Sequence, residues 1–224
     1  LERVIAMAKV APEDRFCGLA DPALLTTSVA ELDLDDGTDP SADSLVALAA
    51  ETEDAALAVQ GVTNSGGAGA SFGRASISLA TSGGFSGHYS GTSHSFSVSV
   101  LAGKGTAMER DYDYSSARHR SELEDATQIG RQAGEKAVRR LGARKVKSGQ
   151  VPLVYDPRVS GGLVGHFAGA ISGAAVARGT SFLKNSMDQM VFAPGITITD
   201  DPTRKRGRGS KPFDGEGVTA QPLT

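Results

Sequence analysis

The chain has 224 residues, 39% of them hydrophobic and 5% aromatic, and a net charge of −3. This length and apolar content allow one large or two modest domains, whereas a single cysteine, Cys17, excludes an internal disulfide framework and any zinc cluster made of cysteines alone. Charges near residue 1 stand where the apolar part of a secretory signal would lie, so these residues are not predicted to be such a signal.

The two ends of the chain differ in charge. Residues 1–60 have a net charge of −10 and residues 61–224 one of +7. Two regions of opposite sign can face each other or face different partners.

The first 60 residues are predicted to form two helices joined by an acidic connector with several prolines, at residues 12–40. Apolar residues at helical spacing indicate a helix over residues 1–10, and a short turn is expected at 23–25. Ser41 is a good N-terminal cap for the second helix, which reaches about residue 59.

From residue 61 to about 114 the apolar period changes from helical to alternating, which predicts three or four antiparallel strands in a meander. Glycine-rich breaks predict the turns, at 66–69, 83–87 and 103–105. One face of a central strand carries Phe96, Val98 and Val100, and the other face is nearly all serine. The serine face fits either the solvent side of the sheet or a polar groove that offers hydrogen bonds to a peptide backbone.

Helical spacing returns over residues 122–142, and Gly142 is placed to end this third helix. Several cations follow near its C-terminus, where positive charge is favoured, so helix stabilisation accounts for them. They are Arg139, Arg140, Arg144, Lys145 and Lys147.

The stretch 151–181 is the predicted centre of the fold. It reads as a short buried strand at 151–155, an Asp-Pro turn and a helix with a glycine at every fourth position. A glycine inside a helix costs roughly 1 kcal/mol relative to alanine, so four on one face predict a very close backbone contact. Large apolar residues on the opposite side predict a helix that is buried on both sides. The glycines are Gly161, Gly165, Gly169 and Gly173, and the large residues are Leu163, Phe167 and Ile171.

The same helix has some features of a membrane span. Residues 159–177 carry no formal charge and come close to the length that a bilayer requires. Most of them are glycine, alanine or serine, however, which favours a buried helix over a transmembrane one.

The C-terminal part is predicted to contain a short helical stretch at 185–190, a strand at 196–199 and a mobile, solvated loop. The loop carries a cationic cluster that could contact phosphates, but it has no interleaved aromatic residues for base stacking and is bracketed by acids. Nucleic acid is therefore not the expected partner. The cluster comprises Arg204, Lys205, Arg206, Arg208 and Lys211.

Known catalytic motifs are incomplete in the sequence. His166 has no second ligand one turn away, so the HExxH pattern of a zinc helix is absent. His88 and His94 are six residues apart on predicted strands, and polar loop histidines are the simpler interpretation. Asp113, Ser115 and His119 are close in sequence but read as ordinary polar residues before a helix. No G-x-S-x-G elbow and no P-loop occur.

Several segments together resemble the TldD/PmbA family, and specifically its TldE/PmbA branch. The longest is ARKVKSGQVPLVYDPRVSGGLVGHFAGAISGAAVARGTSFL, and the shorter ones are SKPFDGEGV, residues 62–65, residues 84–87 and residues 110–114. The resemblance covers essentially the whole chain. It implies a fragment of a protein about twice as long, with residues 1–150 ending an N-terminal α+β domain and residues 151–224 starting an incomplete C-terminal domain.

The resemblance also implies where catalysis would occur. In the TldD branch a zinc ion is held by an HExxxH motif on the helix that corresponds to the glycine-rich helix here. Aligned on the shared Gly-Thr-Ser at 179–181, the two histidines and the glutamate of that motif fall on Val164, Gly165 and Gly169, and His166 falls one position from the glutamate. The resemblance therefore implies the scaffold without metal or catalytic residues in this chain.

We therefore expect an α+β protein with an antiparallel meander packed against helices and a strand followed by a glycine-rich helix. The resemblance implies a cytoplasmic, non-catalytic subunit that pairs with a zinc-bearing TldD-type subunit, or with itself, and helps to degrade unfolded peptides. Candidate peptide contacts are His166, Thr180, Ser181, Asp214 and Glu216. The alternatives are an independent peptidase that uses residues outside this chain, or His166 with Asp214 or Glu216, and a binding protein linked to DNA gyrase or nucleic acid.

Overall fold

The computed structural model describes residues 1–12 and 18–223, so Cys17 lies outside the described residues. It divides the chain into two compact units. The first comprises residues 1–143 together with 199–223, and the second comprises residues 144–198.

The helices and strands alternate in blocks, as an α+β protein requires. The helices are α1 (Glu2–Val10), α2 (Ala42–Leu57), α3 (Ala126–Arg139), α4 (Pro157–Ala170) and α5 (Gly173–Ala177). The strands are β1 (Val62–Ala80), β2 (Ser86–Ala102) and β3 (Glu109–Ala117). Short 3₁₀ turns lie at Pro22–Leu24, Gly105–Ala107 and Arg120–Glu122.

The sheet of the first unit is an antiparallel meander with the order β1-β2-β3. Its central strand alternates between the core and solvent: Phe96, Val98 and Val100 are at most 1% exposed, whereas the serines between them lie on the other face. The predicted α+β class and the apolar face of β2 are confirmed. Burying these three large side chains contributes several kcal/mol, at roughly 1.5–3 kcal/mol for each.

Helices α2 and α3 cover the apolar face of the sheet and touch each other closely. Ser41 caps α2 by accepting a hydrogen bond from the Ser44 N–H at 3.2 Å. Gly130 and Gly134 of α3 lie directly against α2: a Cβ at Gly130 would be 2.2 Å from the Thr52 carbonyl oxygen, and one at Gly134 would be 2.7 Å from a Val59 methyl group. Glycine at these two positions is therefore what lets the helices approach.

Two predicted boundaries in the first unit are wrong. The glycines at 66–69 form no turn, because β1 continues through them with irregular register between Ser65 and Gly67, as in a β-bulge. Helix α3 begins four residues later than predicted, where Asp125 accepts a hydrogen bond from the Gln128 N–H at 2.8 Å. Acceptance of this bond by the Asp125 side chain fixes the start of the helix.

The cationic loop is attached to the first unit through Arg206, while the cationic side chains of the loop are exposed, as expected for a solvated loop. The Arg206 N–H donates to the Leu32 carbonyl at 2.9 Å, and the Arg206 guanidinium contacts Asp33 at 2.5 Å and Glu122 at 3.0 Å. Phe213 is 3% exposed and stacks edge-on against Phe85. The C-terminal loop is thus attached to the connector through Arg206 and to the turn between β1 and β2 through Phe213.

The second unit contains α4 and α5 and exposes most of its apolar side chains. Asp156 caps α4 by accepting a hydrogen bond from the Arg158 N–H at 2.9 Å, with a proline at the first helical position. Leu163 and Ile171 are 47% and 54% exposed, and a Cβ at any of the four spaced glycines would meet nothing within 4 Å. The prediction of a helix buried on both sides is therefore wrong for the described residues.

Other predicted elements of the second unit are also absent from the described part of the chain. Residues 151–155 are exposed and lie in no helix or strand, and no neighbouring strand pairs with them. Residues 185–190 form turns rather than a helix, and residues 196–199 form no strand; an isolated bridge joins the next residue, Asp200, to Leu223. No helix among the described residues is long and apolar enough to cross a membrane.

Candidate functional site

The three positions to which the resemblance assigns the zinc motif all lie on α4. Val164 is 47% exposed, and Gly165 and Gly169 have open space where a side chain would begin. None of the three carries a nitrogen, oxygen or sulfur donor in its side chain, and zinc in proteins is bound by such side chains. His166 lies beside them and is exposed. The residues at these positions therefore do not fit a zinc ion.

Ser181 is hydrogen-bonded to the last residue of α4, whereas Thr180 is hydrogen-bonded to α5. The buried Ser181 hydroxyl donates to the Ala170 carbonyl at 2.6 Å and accepts from the Leu183 N–H at 2.9 Å. The exposed Thr180 hydroxyl bonds only to the Ala175 carbonyl, at 3.2 Å. The Ser181 hydroxyl thus donates one hydrogen bond and accepts another within the second unit, which gives it a structural role. Its contact with a peptide stays a prediction.

Asp214 and Glu216 belong to the first unit, in the turn after Phe213. One Asp214 carboxylate oxygen accepts from the Glu216 and Val218 N–H groups, each at 2.9 Å. This pattern is that of an Asx-turn. The carboxylate of Asp214 therefore shapes the turn, while Glu216 is exposed.

A buried polar network joins the acidic connector to β2, and sequence reasoning missed it. Asp36 Oδ2 lies 2.9 Å from His94 Nε2, outside the alignment of a hydrogen bond, and both side chains are at most 6% exposed. The Asp36 carboxylate accepts from the N–H groups of Arg120 at 2.9 Å and Thr38 at 3.0 Å, and from the Thr38 hydroxyl at 2.8 Å. This one carboxylate therefore holds three parts of the chain together.

The environment of Asp36 favours its charged form. Burial by itself raises the pKa of a carboxyl group, but the hydrogen bonds from Arg120 and Thr38 outweigh burial, and His94 adds a favourable charge. The pKa of Asp36 is consequently well below its usual value of 3.8. Exposed Asp33 also has a lowered pKa, chiefly because Arg206 donates a hydrogen bond to it.

Thr92 continues this network along the edge of β2. Its N–H donates to the Leu34 carbonyl at 2.9 Å, and its hydroxyl donates to the Arg118 carbonyl at 2.8 Å and accepts from the Asp36 N–H at 3.1 Å. The connector around Leu34 is thereby held against β2 like a short additional strand.

An open groove of about 680 Å³ lies next to this attachment. It is lined by residues 29–35 of the connector, by residues 88–90 of β2, and by Lys205 and Pro212. The connector alternates along this wall, with Leu32 and Leu34 buried and Glu31 and Asp33 exposed. A groove of this size and polarity can accept a short extended segment.

The remaining sequence candidates have structural roles. His88 and His94 both lie on β2, and His94 is 2% exposed, so it is not the polar loop residue that was predicted. Asp113 and Ser115 lie on β3: Asp113 pairs with Lys136 at 2.6 Å, and Ser115 accepts from the Glu124 N–H at 2.9 Å. Within residues 1–12 and 18–223, no three histidine, cysteine or acidic residues are grouped as a metal site requires.

Two family models match the chain. The PmbA/TldA metallopeptidase central domain matches residues 35–141, and the PmbA/TldA metallopeptidase C-terminal domain matches residues 148–224. The chain belongs to the PmbA/TldD family. The predicted resemblance is thus confirmed, and the connector end, the sheet, α2 and α3 all fall within the central family domain.

Curated relatives agree with this assignment. The chain is 32% identical over 222 residues to Metalloprotease PmbA of Escherichia coli O157:H7 and 33% identical over 222 residues to a Metalloprotease PmbA homolog of Haemophilus influenzae. Each alignment covers 99% of this chain and 49% of the relative. The chain therefore spans about half the length of these relatives.

Solved structures share the fold. A proposed modulator of DNA gyrase from Bacteroides thetaiotaomicron aligns with a TM-score of 0.87 at 27% identity, covering 99% of this chain and 52% of that one. TldE from Thermococcus kodakarensis aligns with a TM-score of 0.73 at 20% identity, covering 99% and 50%. The second likeness, at this identity, concerns the fold alone.

Proposed function

We propose that this chain is part of a catalytically silent TldE/PmbA-type subunit of a two-subunit zinc metalloprotease. The observation that carries the proposal is the absence of donor side chains at Val164, Gly165 and Gly169, the positions on α4 to which the family resemblance assigns the zinc motif. Metal-assisted hydrolysis needs ligands for the metal and a base for the water. Neither is provided by these positions.

The exposed surface of the second unit supports a role in assembly. Val159, Leu163, Val164 and Ile171 of this unit are each about half exposed, and the glycine face of α4 is open. Large exposed apolar patches are typical of surfaces that other protein segments cover. In this proposal a TldD-type subunit supplies the zinc and the catalytic residues in the cytoplasm, and the substrate is an unfolded peptide. A second copy of this protein is the alternative partner for the exposed surface, and such a pair would contain no zinc site on α4.

The proposal predicts that hydrolysis requires the partner. The full-length protein, purified alone and treated with zinc, is expected to retain no stoichiometric zinc and to leave an unfolded peptide intact. Mixing it with a TldD-type subunit from the same organism should restore cleavage. Metal analysis and mass spectrometry of the peptide products measure the two outcomes, and stoichiometric zinc with cleavage by this protein alone would refute the proposal.

The alternative of an independent peptidase is tested at His166, which is the exposed histidine closest to the zinc-motif positions on α4. In the assembled complex, His166→Ala is expected to leave kcat within about twofold of the wild-type value. A residue that does not contact the transition state contributes little to kcat. Loss of nearly all activity would favour the alternative. Ser172→Ala, on the exposed turn after α4, is the matched control for a small local change.

A further inference from the structure

Strand β1 forms one edge of the sheet and is free along its outer side. It is 19 residues long, its neighbour in the sheet is β2 alone, and none of its residues is buried. Among the described residues, no backbone hydrogen bond reaches the outer side of residues 68–80. A free edge of this length is unusual, because it is a template for another strand.

The usual protection of a free edge is missing from most of β1. Edge strands are normally blunted by charged side chains, proline or a bulge. The bulge lies near one end, between Ser65 and Gly67, and β1 contains no proline. Its single charged residue, Arg74, is turned to the connector, where its guanidinium lies 3.2 Å from the Asp35 carboxylate and donates to the Thr38 carbonyl at 2.7 Å. The rest of β1 is therefore open to pairing.

The hairpin turn determines which residues of β1 bond outward. The Thr81 N–H donates to the Phe85 carbonyl at 2.9 Å, so the odd-numbered residues of β1 after the bulge exchange hydrogen bonds with β2. In an antiparallel sheet, successive residues direct their N–H and C=O groups to opposite sides. The even-numbered residues from Ala68 to Ser78 therefore direct theirs to the free side.

This pattern lets β1 pair with the same strand of a second copy. Antiparallel pairing of two identical strands creates a two-fold axis, so the two edges match in length. Pairing over the whole of Val62–Ala80 places Ser71 on the axis and makes Ala70 and Phe72 of opposite copies a hydrogen-bonded pair. With Arg74 on the axis instead, two like charges would lie opposite each other, which is destabilising.

A shallow groove beside the same residues supports this pairing. It has a volume of about 400 Å³ and lies between α2 and residues 68–70 of β1. Side chains that are paired across two strands lie on the same face, so Phe72 of the second copy would lie next to Ala70, which packs on the core side of the sheet. The groove there is mainly apolar, and its lining on α2 comprises Leu45, Val46, Ala49, Ala50 and Glu53.

The length of β1 is sufficient for a specific interface. At about 3.4 Å per residue, its 19 residues extend over roughly 65 Å. A strip of that length and about 10 Å wide buries on the order of 600 Å² on each copy, and roughly 1,200 Å² in total is the lower limit for a specific, stable interface. A short peptide covers only part of this edge, whereas a strand of equal length covers all of it.

We propose that the first unit forms a symmetric dimer, in which the β1 edges of two copies pair antiparallel about Ser71 and make a six-stranded sheet. The partner is a second copy of this chain, since its own β1 matches the edge in length and in the alternation of its bonding groups. The inference goes beyond the proposed function, because it concerns the first unit and leaves the second unit to the zinc-bearing subunit.

Cysteine crosslinking tests the position of the two-fold axis. In a non-hydrogen-bonded antiparallel pair the Cα atoms are about 4.5 Å apart, within the range of about 4.4–6.8 Å that a disulfide spans. Full-length Ser71→Cys, in a Cys17→Ser background, is therefore expected to form a covalent dimer on oxidation, seen on a non-reducing gel. Ser97→Cys is the matched control, because it is exposed on the same face of the sheet. Its two copies would be at least about 14 Å apart, or three strand spacings.

A charge at the axis tests the same contact without covalent chemistry. Sedimentation velocity of the full-length wild type is expected to show a reversible dimer. Ser71→Lys sets two like charges opposite each other and is expected to weaken the dimer about tenfold, whereas Ser97→Lys should leave its dissociation constant unchanged. Circular dichroism checks that both variants remain folded, as expected at exposed positions.

Several results would overturn the inference. They are a monomeric wild type, a dimer that Ser71→Cys does not crosslink, equal crosslinking at Ser71 and Ser97, and equal effects of the two lysines. A crosslink from Ser71→Cys to an added TldD-type subunit, in place of the second copy, would also overturn it. Zinc content and peptide cleavage report separately on the proposed function, so either proposal can fail while the other holds.

Discussion

Replacing Gly130 with valine is expected to lower the free energy of unfolding by about 3 kcal/mol, the upper part of the usual range for overpacking a closely packed site. The reason is the contact between α2 and α3, where a Cβ at Gly130 would be 2.2 Å from the Thr52 carbonyl oxygen and 2.8 Å from the Ala55 Cβ. Backbone atoms cannot move aside by a rotamer change, so α2 must shift. Urea unfolding of the full-length protein, followed by circular dichroism, measures the loss.

The control for Gly130→Val is Arg139→Ala, an exposed position near the end of the same helix. This change is expected to alter the free energy of unfolding by less than about 0.5 kcal/mol, as is usual for surface substitutions. If Gly130→Val unfolds at the same urea concentration as the wild type, the close approach of α2 and α3 is not the packing that holds this unit together.

The glycines show what sequence reasoning could and could not predict. Helical spacing predicted both α3 and α4, and regular glycine spacing predicted a close backbone contact on α4. The contact occurs instead on α3, at Gly130 and Gly134, which lie four residues apart among apolar neighbours. Spacing shows that a helix face is bare, but which element approaches that face is decided by tertiary packing.

The sheet was predictable because its signal is local. The alternation of apolar and serine residues in β2 determines which side chains are buried, whatever the rest of the chain does. The turn predicted at residues 66–69 failed because a bulge and a turn both favour glycine. The predicted strand at 151–155 failed because a strand needs a neighbour, and local composition cannot supply one.

The polar network at Asp36 was not predictable from local patterns. Asp36 and His94 are far apart in sequence, and each reads as an ordinary polar residue in its own segment. One available signal was the position of His94, which shares the period of Phe96 and Val98 and therefore the buried face of β2. A histidine on an apolar face needs a polar partner, and an acidic connector is a plausible source of one.

The two units divide the proposed function between them. The second unit has no donor side chains at the three positions of α4 to which the resemblance assigns the zinc motif, so the proposed function places catalysis in a partner. The first unit has a groove whose geometry depends on how the connector is attached to β2.

Asp36→Ala is expected to lower the free energy of unfolding of the full-length protein. Removing one member of a buried, charge-assisted network costs about 3 kcal/mol, and here it leaves the Arg120 and Thr38 N–H groups without an acceptor and His94 without its partner. The connector wall of the groove also loses an attachment. Asp36→Asn keeps an acceptor oxygen and is expected to lose less stability, and urea unfolding followed by circular dichroism compares the two variants with the wild type.

The pH dependence follows from the lowered pKa of Asp36. Its contribution is complete above the ordinary carboxyl pKa of 3.8 and is lost as the pH falls toward the lower pKa of the folded state. The free energy of unfolding of the wild type should thus decline below about pH 4 more steeply than that of Asp36→Asn, which has no proton to take up at this site. Parallel declines in urea titrations at several pH values would show that the Asp36 charge does not hold the connector, and the groove would need another support.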